Sequence, residues 1–411
     1  MISVEDALAQ ILERVHLLGR EKVALLSSLG RVLAEPIVAL KEIPPWPNSA
    51  MDGFALLAAE TTGASESRPV ALQVVGAIPA GVLPSRPLGG GEVMRIFTGA
   101  PLPEGADSVI PQEEVARQDN HVLIRRPVAE GEFVRPRGED IRAGDEVLAA
   151  GQEITPAEIG LLASLGHASV MVYDQPRVAV LSTGDELVEI DQEQKPGKII
   201  NSNSYSLMAQ VRDAGGIPVN LGIAPDHLAS IEERLRWGLS ADLIVTSAGV
   251  SVGEYDFVRS ALERIGAQLH LWQVSMRPGK PITFGTAGAV PVFGLPGNPV
   301  SAMVTFELFV RPALRKMGGH GQIFRPTLTA LAIGPIENPG QRRGYLRVTL
   351  HARDGAFWAR LTGNQGSAIL KSMVQADGLA VAPPATTISA GGPVVVIPLR
   401  KEFTREVDAA P

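Results

Sequence analysis

The chain has 411 residues, and its 37 Lys and Arg against 44 Asp and Glu give a formal net charge of -7, which argues against general nucleic-acid binding. It contains no cysteine, which excludes disulfides, thiolate metal sites and cysteine nucleophiles and leaves oxygen-bound hard ions as the expected metals. The length indicates several domains, and since nothing approaches about 18 consecutive apolar residues, we expect no membrane span and a soluble cytoplasmic protein.

Residues 1 to about 35 are predicted to be helical, with one apolar face formed by Ala7, Leu8, Ile11, Leu12 and Val15. The early acidic residues indicate a capped amphipathic helix rather than an export signal.

Residues 42–56, EIPPWPNSAMDGFAL, contain three prolines in four positions, which fix an extended path. Such a segment can hold Asn48, Ser49 and Asp52 in place at little entropic cost. The alternative is a linker that crosses between domains.

Short β-type runs separated by turn residues over residues 70–140 predict a small all-β domain. Thr98 lies where one predicted strand gives way to a Gly/Pro turn. Asp140 lies beside Arg135, Arg137 and Arg142, so a solvated surface ion pair would explain it. Residues 154–166 predict a helix with Thr155 as N-cap and Pro156 in its first position, which leaves the β domain as an insertion.

From residue 176, short apolar runs alternate with glycine-rich turns and helical patterns, which predicts a parallel α/β sheet. Predicted strands are Val178–Leu181, IPVNLGIA, Leu243–Thr246 and Val290–Phe293. The helix SNSYSLMAQVRDAGG ends on two glycines. Asp226 precedes the helix HLASIEERLRWGL, where plain N-capping explains it.

The third predicted strand runs into a glycine loop, residues 248–253, and then a helical pattern over residues 254–265. Asn298 and Pro299 are placed as the N-cap and first residue of a further helix. Loops at the carboxyl ends of parallel strands form the binding crevice, and their free N–H groups can receive an anion.

After Arg325 the pattern returns to strands, which predicts a compact β-barrel or sandwich of about 85 residues.

Several acids fall on loops expected to converge, and the turn RPGKP adds two cations, Arg277 and Lys280. Carboxylates, cations and free N–H groups suit a phosphate-bearing ligand with Mg²⁺. The acids concerned are Asp185, Glu186, Asp226 and Asp256. The plainer alternative is that Glu254 and Asp256 stabilise a helix N-terminus, worth ~0.3–1 kcal/mol each.

Familiar signatures are absent. No G-x-G-x-x-G follows a strand, and the GK pair is followed by Pro281 rather than Ser or Thr, so neither a Rossmann site nor a P-loop is indicated. The sequence also lacks H-E-x-x-H and G-x-S-x-G, and its seven histidines are scattered.

Nine motifs, in order and spacing, resemble the MoeA family, the molybdopterin molybdenumtransferases that include the E domain of gephyrin. They are SAMDGFA, FTGAPLP, GED, STGDEL, NSNSYSL, SAGVSVGEYD, RPGKP, GLPGNPVSA and TGNQGS. The resemblance covers essentially the whole chain. It implies a linker domain in two parts (residues 1–45 and 141–175), an inserted β domain (46–140), an α/β molybdopterin-binding domain (176–326) and a C-terminal β-barrel (327–411).

The resemblance implies an enzyme that takes adenylylated molybdopterin and molybdate, hydrolyses the adenylate with Mg²⁺, and releases AMP and molybdenum cofactor. It further implies a homodimer whose active site combines the α/β domain of one subunit with the β domain of the other, and a molybdopterin adenylyltransferase as upstream partner. No nucleic-acid or membrane partner is implied.

The resemblance also implies roles for individual residues. Expected catalytic residues are Asp52, Thr98, Asp140, Glu186, Asp226, Asp256 and Lys280, of which Glu186, Asp226 and Asp256 would hold the metal. Expected substrate-binding residues are Thr183, Gly184, Asp185, Ser247, Gly249, Ser251, Gly253, Arg277, Pro296, Gly297, Asn298, Pro299, Ser301, Arg347 and Ser367.

Two positions depart from the family pattern. Arg277 stands where Lys is usual, which replaces a compact ammonium with a planar fork. Ala248 stands where Gly is frequent, and the added methyl is expected to exclude most conformations with positive φ.

Two alternatives share this fold. An adenylyltransferase would make the adenylate, but that enzyme is essentially the α/β domain alone. A non-catalytic scaffold is the other, and the intact acids at the matched positions favour an enzyme.

Overall fold

The computed structural model of the protein describes residues 1–248 and 257–400. Within these residues, no helix is both long and apolar enough to cross a membrane. The chain divides into two compact units: unit 1 is Met1–Ala34, Gly151–Ile159 and Ser169–Pro411, and unit 2 is Glu35–Ala150 and Gly160–Ala168.

The α-helices of the described residues are short and belong mostly to unit 1. They are Val4–Glu13 (α1), Pro156–Ser164 (α2), Ser202–Asp213 (α3), Leu228–Gly238 (α4), Phe257–Arg264 (α5), Pro299–Thr305 (α6), Arg311–Met317 (α7) and Leu370–Gln375 (α8). A π-helical turn, Phe306–Val310, joins α6 to α7.

The strands of the first half of the chain are β1 (Arg20–Ala24), β2 (Ile37–Val38), β3 (Asn48–Ser49), β4 (Gly53–Leu56), β5 (Val70–Ile78), β6 (Glu92–Ile96), β7 (Ser108–Pro111), β8 (Val115–Gln118), β9 (His121–Ile124), β10 (Val134–Arg135), β11 (Glu146–Leu148), β12 (Ser169–Tyr173), β13 (Arg177–Thr183), β14 (Leu187–Val188) and β15 (Ile199–Ile200). Those of the second half are β16 (Ile217–Ala224), β17 (Leu243–Ser247), β18 (Ala267–Gln273), β19 (Met276–Arg277), β20 (Pro281–Ala287), β21 (Val290–Leu295), β22 (Leu328–Ala332), β23 (Ile336–Asn338), β24 (Arg343–Arg353), β25 (Ala356–Leu361), β26 (Gly378–Ala382), β27 (Thr386–Ile388) and β28 (Pro393–Pro398).

The centre of unit 1 is a six-stranded sheet in the order β16-β13-β17-β21-β20-β18. The first four strands are parallel, and β20 and β18 complete the sheet in antiparallel pairing. Strand β17 is buried at every residue and β13 at all but its first, as expected of parallel strands covered on both faces. The sheet is therefore the predicted α/β domain, with an antiparallel edge added.

The N-terminal segment differs from the predicted single helix over residues 1–35. Helix α1 ends at Glu13, and residues 20–24 form β1, which pairs antiparallel with β12. The predicted apolar face is correct at Ala7, Ile11 and Val15, which are fully buried. The helix prediction was wrong beyond α1 because pairing with a strand about 150 residues away decides the conformation of residues 20–24, and local pattern cannot report such a pairing.

Unit 2 contains a six-stranded, mostly antiparallel sheet in the order β7-β4-β6-β5-β9-β8. Buried side chains on both faces of the sheet form two clusters, one around Phe54 and Ile110 and the other around Ile78 and Met94. This is the predicted small β domain.

The C-terminal strands of unit 1 close into a five-stranded barrel in the order β24-β25-β22-β28-β26, because β26 pairs back with β24. Its long strand β24 pairs with β25 through Val348–Arg353 and with β26 through Gly344–Val348. A two-residue turn joins β24 to β25, and both Asp354 (φ 51) and Gly355 (φ 73) have positive φ, as a type I′ hairpin turn requires. The predicted fold class is thus confirmed.

Candidate functional site

The carboxyl ends of the parallel strands meet at one edge of the α/β sheet. Ser182 on β13 lies opposite Ser247 on β17, and Ser247 lies opposite Leu295 on β21. Since β13 runs next to both β16 and β17, the strand order reverses direction beside β13. Ligands bind at such a switch point in open α/β sheets.

A pocket of about 560 Å³ opens at this switch point. It is lined by the segments that follow three strands and by the start of α3: Glu186, Leu187, Ile199, Ile200, Asn201, Ser202, Asn203, Ser247, Ala248, Gly297, Asn298 and Pro299. Five of the predicted binding or catalytic residues are therefore together in one cavity, namely Glu186, Ser247, Gly297, Asn298 and Pro299.

Asn203 joins two of the loops that form the pocket. Its side-chain amide donates to Ser247 Oγ at 2.8 Å and to the main-chain oxygen of Gly297 at 2.7 Å. The residue was not among the predicted site residues, although it stands in the NSNSYSL motif. The sequence could have indicated Asn203 because its side-chain amide lies in the first turn of a predicted helix. From there it can donate to the ends of strands that are distant in the sequence.

Asp226 does not cap helix α4, contrary to the sequence prediction. The N-cap residue is His227, and it makes no side-chain capping bond. Instead, Asp226 and Asp185 bond reciprocally: the main-chain N–H of Asp226 donates to Asp185 Oδ1 at 3.1 Å, and that of Asp185 donates to Asp226 Oδ2 at 3.4 Å. The two carboxylates are thereby held side by side at the ends of β13 and β16.

Glu186 lies over the turn formed by Gly184, whose φ is +145°. A Cβ built on Gly184 would lie 2.4 Å from Glu186 Oε2, so the carboxylate packs directly against this glycine, whose positive φ side chains rarely adopt. Thr183, the last residue of β13, is buried, and its Oγ1 has no hydrogen-bond partner in the described part of the chain.

Arg347, on the barrel strand β24, is the largest fully buried side chain of the described residues. Nε donates to Ser372 Oγ at 3.0 Å, and Nη2 donates to the main-chain oxygens of Gly366 and Asn364. Nη1 is buried and has no partner among residues 1–248 and 257–400. Burial lowers the pKa of Arg347 to about 10, and the charge of Arg277 acts in the same direction.

The barrel also contributes Ser367 to the first turn of α6. The side-chain amide of Asn298 donates to Ser367 Oγ at 3.0 Å, and Val300 N–H donates to the Ser367 main-chain oxygen at 3.0 Å. Asn298 is the N-cap residue of α6, as predicted, but its side chain makes no capping bond and binds Ser367 instead. Ser301 is buried in the same turn.

The RPGKP turn is anchored to the barrel. Met276 and Arg277 form β19, which pairs with Arg343 and Gly344 of β24. Gly279 has φ +100°, and a Cβ there would lie 2.4 Å from Thr305 Cγ2, so the turn requires glycine. Lys280 is half-buried and ion-paired with no described residue, while Arg277 is exposed.

Unit 2 carries a separate group of predicted site residues. Thr98 donates to Asp52 Oδ1 through its main-chain N–H at 2.8 Å and through its hydroxyl at 2.7 Å. These two bonds, with a smaller contribution from Arg95, hold the pKa of the exposed Asp52 carboxyl below its usual range. The resemblance grouped Asp52 with Thr98, and the fold brings them into contact.

Asp140, also in unit 2, is exposed. It forms no ion pair with any described residue, and the neighbouring Arg137 pairs with Glu42 instead.

Four predicted residues, Gly249, Ser251, Gly253 and Asp256, lie outside the described residues, as does Glu254. Within residues 1–248 and 257–400, no three His, Asp or Glu side chains form a group that could hold a metal ion. Asp185, Glu186 and Asp226 nevertheless present only oxygen donors, which is the donor chemistry that Mg²⁺ prefers. A Mg²⁺ ion therefore fits these acids in chemistry, with Asp256 needed to complete the predicted set.

Ala248 departs from expectation. It has φ +74°, the conformation that its methyl group was expected to exclude. This left-handed conformation costs a non-glycine residue about 1–2 kcal/mol. Gly297 of the next loop lies close to this methyl, since a Cβ added to Gly297 would be 3.3 Å from Ala248 Cβ.

Sequence comparisons agree with this architecture along the chain. Residues 2–166 match the model of the MoeA N-terminal region (domain I and II), residues 179–316 that of a probable molybdopterin binding domain, and residues 330–399 that of the MoeA C-terminal region (domain IV).

Relatives of similar length are also found. The molybdopterin molybdenumtransferase of Nostoc sp. is 40% identical over 92% of this chain and 88% of its own length. That of Bacillus subtilis is 34% identical over 98% of this chain and 95% of its own length. A crystal structure of the molybdopterin biosynthesis MoeA protein from Pyrococcus horikosii superposes with a TM-score of 0.83 at 32% identity, covering 98% of this chain and 100% of that one.

The α/β sheet with its strand-end pocket therefore places the protein among those built on the molybdopterin-binding type of domain. The matches of residues 2–166 and 330–399 to MoeA regions distinguish the chain from other proteins that contain this type of domain. The chain belongs to the MoeA family.

Proposed function

We propose that the protein is a molybdopterin molybdenumtransferase, a transferase of molybdenum cofactor biosynthesis. It takes adenylylated molybdopterin, hydrolyses the adenylate, inserts molybdate into the dithiolene and releases AMP and the finished cofactor. Relatives that carry this name align over most of the chain. The same activity agrees with the absence of cysteine, since the sulfur ligands belong to the pterin.

Arg347 is the observation that carries the proposal. A fully buried guanidinium with one unpartnered Nη1 leaves a positive charge and a donor unsatisfied, which is costly unless an anion completes the site. A tetrahedral oxyanion such as molybdate can accept the free N–H. We propose that Arg347, Ser301 and Ser367 line this oxyanion site, with Arg277 and Lys280 supplying further positive charge.

The strand-end pocket would hold the pterin and its phosphate-linked group. Ser247 and the turn at residues 297–299 line it, and Thr183, Gly184 and Pro296 beside them, with Gly249, Ser251 and Gly253, would extend this surface. Asp185 and Asp226 are already held together by two main-chain bonds, so they are ordered before substrate binds. With Glu186, they can orient the water that attacks the adenylate.

Mg²⁺ is part of the proposal, with Glu186, Asp226 and Asp256 as its ligands. When bound, the ion would neutralise phosphate charge and polarise the phosphoanhydride.

The proposal also includes the quaternary arrangement. The protein would form a homodimer whose active site combines the strand-end pocket of one subunit with Asp52, Thr98 and Asp140 of the other. It would act in the cytoplasm downstream of a molybdopterin adenylyltransferase. The five-segment domain division of the sequence is proposed with it.

The test is AMP release from adenylylated molybdopterin in the presence of Mg²⁺, with and without molybdate. Wild type should release AMP in a molybdate-stimulated reaction, and Lys280→Ala should abolish that stimulation because it removes a charge beside the oxyanion. Lys22→Ala is the matched control, since this exposed lysine on β1 is not one of the proposed site residues. Absence of AMP release under every condition would overturn the proposal and favour a scaffold on this fold.

A further inference from the structure

A second pocket lies on the outer surface of the C-terminal barrel, away from the strand-end pocket. It measures about 170 Å³ and is lined by Ile333, His351, Arg353, Trp358 and Arg360. None of these residues belongs to the proposed catalytic or substrate-binding groups.

The hairpin β24–β25 explains why these side chains share one face. Trp358 lies opposite His351, and Arg360 lies opposite Thr349, two residues further along. Alternate residues of a strand point to the same side of the sheet, so His351, Trp358 and Arg360 are on a common face. The residues between them, Leu350 and Ala359, are fully buried in the barrel core, so the common face is the outer one.

The segment after β22 forms the remaining wall. Ile333 N–H donates to the Ala359 main-chain oxygen at 2.9 Å, which fixes Ile333 beside β25. The pocket is thus built on a hairpin of a closed barrel, which is a rigid support.

Two polar groups of this pocket are available to a ligand, one buried without a partner and the other an exposed cation. Trp358 Nε1 is buried without a hydrogen-bond acceptor in the described part of the chain, and a buried N–H without an acceptor costs about 1–3 kcal/mol. The Arg360 guanidinium forms no ion pair with any described residue, whereas Arg353 pairs with Asp354 at 3.2 Å. A buried indole N–H and an exposed guanidinium without an ion-pair partner in the described residues together suit a negatively charged acceptor.

We propose that this pocket binds a small tetrahedral oxyanion of the size of phosphate or molybdate. The pocket volume equals that of about five or six water molecules at ~30 Å³ each, which is too small for a nucleotide or a pterin. Arg360 supplies the charge, the Trp358 indole N–H supplies a directional donor, and Ile333 gives the site an apolar wall. The inference does not depend on the proposed transferase activity.

The competing explanation is that Arg353 and Arg360 merely cover apolar surface with their stems and keep their charges in water. If the pocket binds an anion, the indole N–H resonance of Trp358 will shift and then saturate as anion is added. If the arginines only cover apolar surface, no saturable shift is expected.

The test uses the full chain labelled with ¹⁵N-tryptophan, whose four indole N–H resonances are followed by NMR. Trp358→Phe assigns the relevant resonance. Phosphate, molybdate and sulfate are titrated separately, with chloride holding the ionic strength constant. We expect a saturable downfield shift of the Trp358 resonance in the millimolar range, and the relative affinities of the three anions identify which oxyanion the site prefers.

Arg360→Gln should weaken this binding by about tenfold or more, because removing the charged partner of a charge-assisted bond costs roughly 1.4 kcal/mol or more. Arg236→Gln, an exposed arginine that pairs with Glu232 on α4, is the matched control and should leave the titration unchanged. A shift that grows linearly with anion concentration, or one equal in wild type and Arg360→Gln, would overturn the proposal. Because the Trp358 resonance reports only on the barrel pocket, a failure here is distinguishable from a failure of molybdate-stimulated AMP release.

Discussion

The effect of the Thr98 hydroxyl on the pKa of Asp52 can be measured by removing that hydroxyl alone. Thr98→Val removes one of the two hydrogen bonds to Asp52 Oδ1 and keeps the main-chain bond. We therefore expect the pKa of Asp52, now held below its usual range, to rise partway toward its ordinary value. A ¹³C NMR titration of the Asp52 carboxyl measures this change.

The pKa shift of Asp52 also determines how the hydroxyl affects stability at each pH. Because the pKa is depressed in the folded state, the stabilisation is present above the unfolded-state pKa and is lost as pH falls through the folded-state pKa. The melting temperatures of wild type and Thr98→Val should thus differ most near neutral pH and converge in acid. Thr98→Ser keeps the hydroxyl and should titrate like wild type. An unchanged Asp52 pKa in Thr98→Val would show that the hydroxyl contributes nothing.

Ala248 lies where two loops of the site approach each other. Its positive φ carries a cost of about 1–2 kcal/mol, and strain of this kind persists only where surrounding contacts enforce it. Asn203 provides such contacts, since it bonds to Ser247, the residue before Ala248, and to Gly297 in the loop after β21. The loops after β17 and β21 are therefore held together before a ligand arrives.

At the scale of an element, strand β4 depends on a glycine next to Asp52. Gly53 pairs with Ile96 on one side and Pro111 on the other, and a Cβ there would lie 2.0 Å from the Ile110 main-chain oxygen. Gly53→Ala should force β4 and β7 apart and destabilise unit 2 by about 1–3 kcal/mol, the usual cost of overpacking. Thermal unfolding followed by circular dichroism measures the loss.

The same sheet offers a matched control in Gly76 on β5. No heavy atom lies within 4 Å of a Cβ built there, and its φ is not positive. Gly76→Ala should leave the protein as stable as wild type, or more stable by about 0.5–1 kcal/mol through the reduced entropy of the unfolded chain. Equal destabilisation by both substitutions would show that close approach at Gly53 is not the cause.

Elements with strong local signals were predictable, and those decided by distant contacts were not. Strands β13, β17 and β21 have the continuous apolar runs that are typical of strands buried on both faces. Thr155 followed by Pro156 is a typical start of a helix and predicted α2. Residues 20–24 carry no such signal, because their conformation comes from pairing with β12. Asp226 satisfied the sequence pattern of a helix N-cap, yet its partner is Asp185, about 40 residues earlier.

In the site too, residue types could be predicted from the sequence, but contacts between distant residues could not. Motif resemblance identified Arg347, but its unpartnered Nη1 depends on the packing of the segment Asn364–Gly366 against β24, which only the fold reveals. Asn203 escaped prediction because its role consists of contacts to Ser247 and Gly297, about 45 and 95 residues away. Residue type can be read from the sequence, whereas hydrogen-bond partners distant along the chain cannot.

At the scale of the whole molecule, the proposed site residues form two groups, each within its own unit: Asp52 and Thr98 in unit 2, and the strand-end pocket with Arg347 in unit 1. A site shared between subunits predicts complementation. Asp52→Ala and Lys280→Ala are each expected to lack molybdate-stimulated AMP release as homodimers. In a heterodimer of the two variants, one site contains both substitutions and the other contains neither, because each site takes Lys280 from one subunit and Asp52 from the other.

Co-expressing the two variants should therefore restore about a quarter of the wild-type molybdate-stimulated AMP release, because random pairing in a twofold dimer makes half of the dimers mixed, with one intact site of two. Asp52→Ala combined with Asp140→Ala is the matched control. Both lesions lie in unit 2, so each site of a mixed dimer receives one of them and no activity should return. If instead each active site is built within a single chain, the first pair will also remain inactive, and the shared-site arrangement must be abandoned while the transferase assignment stands.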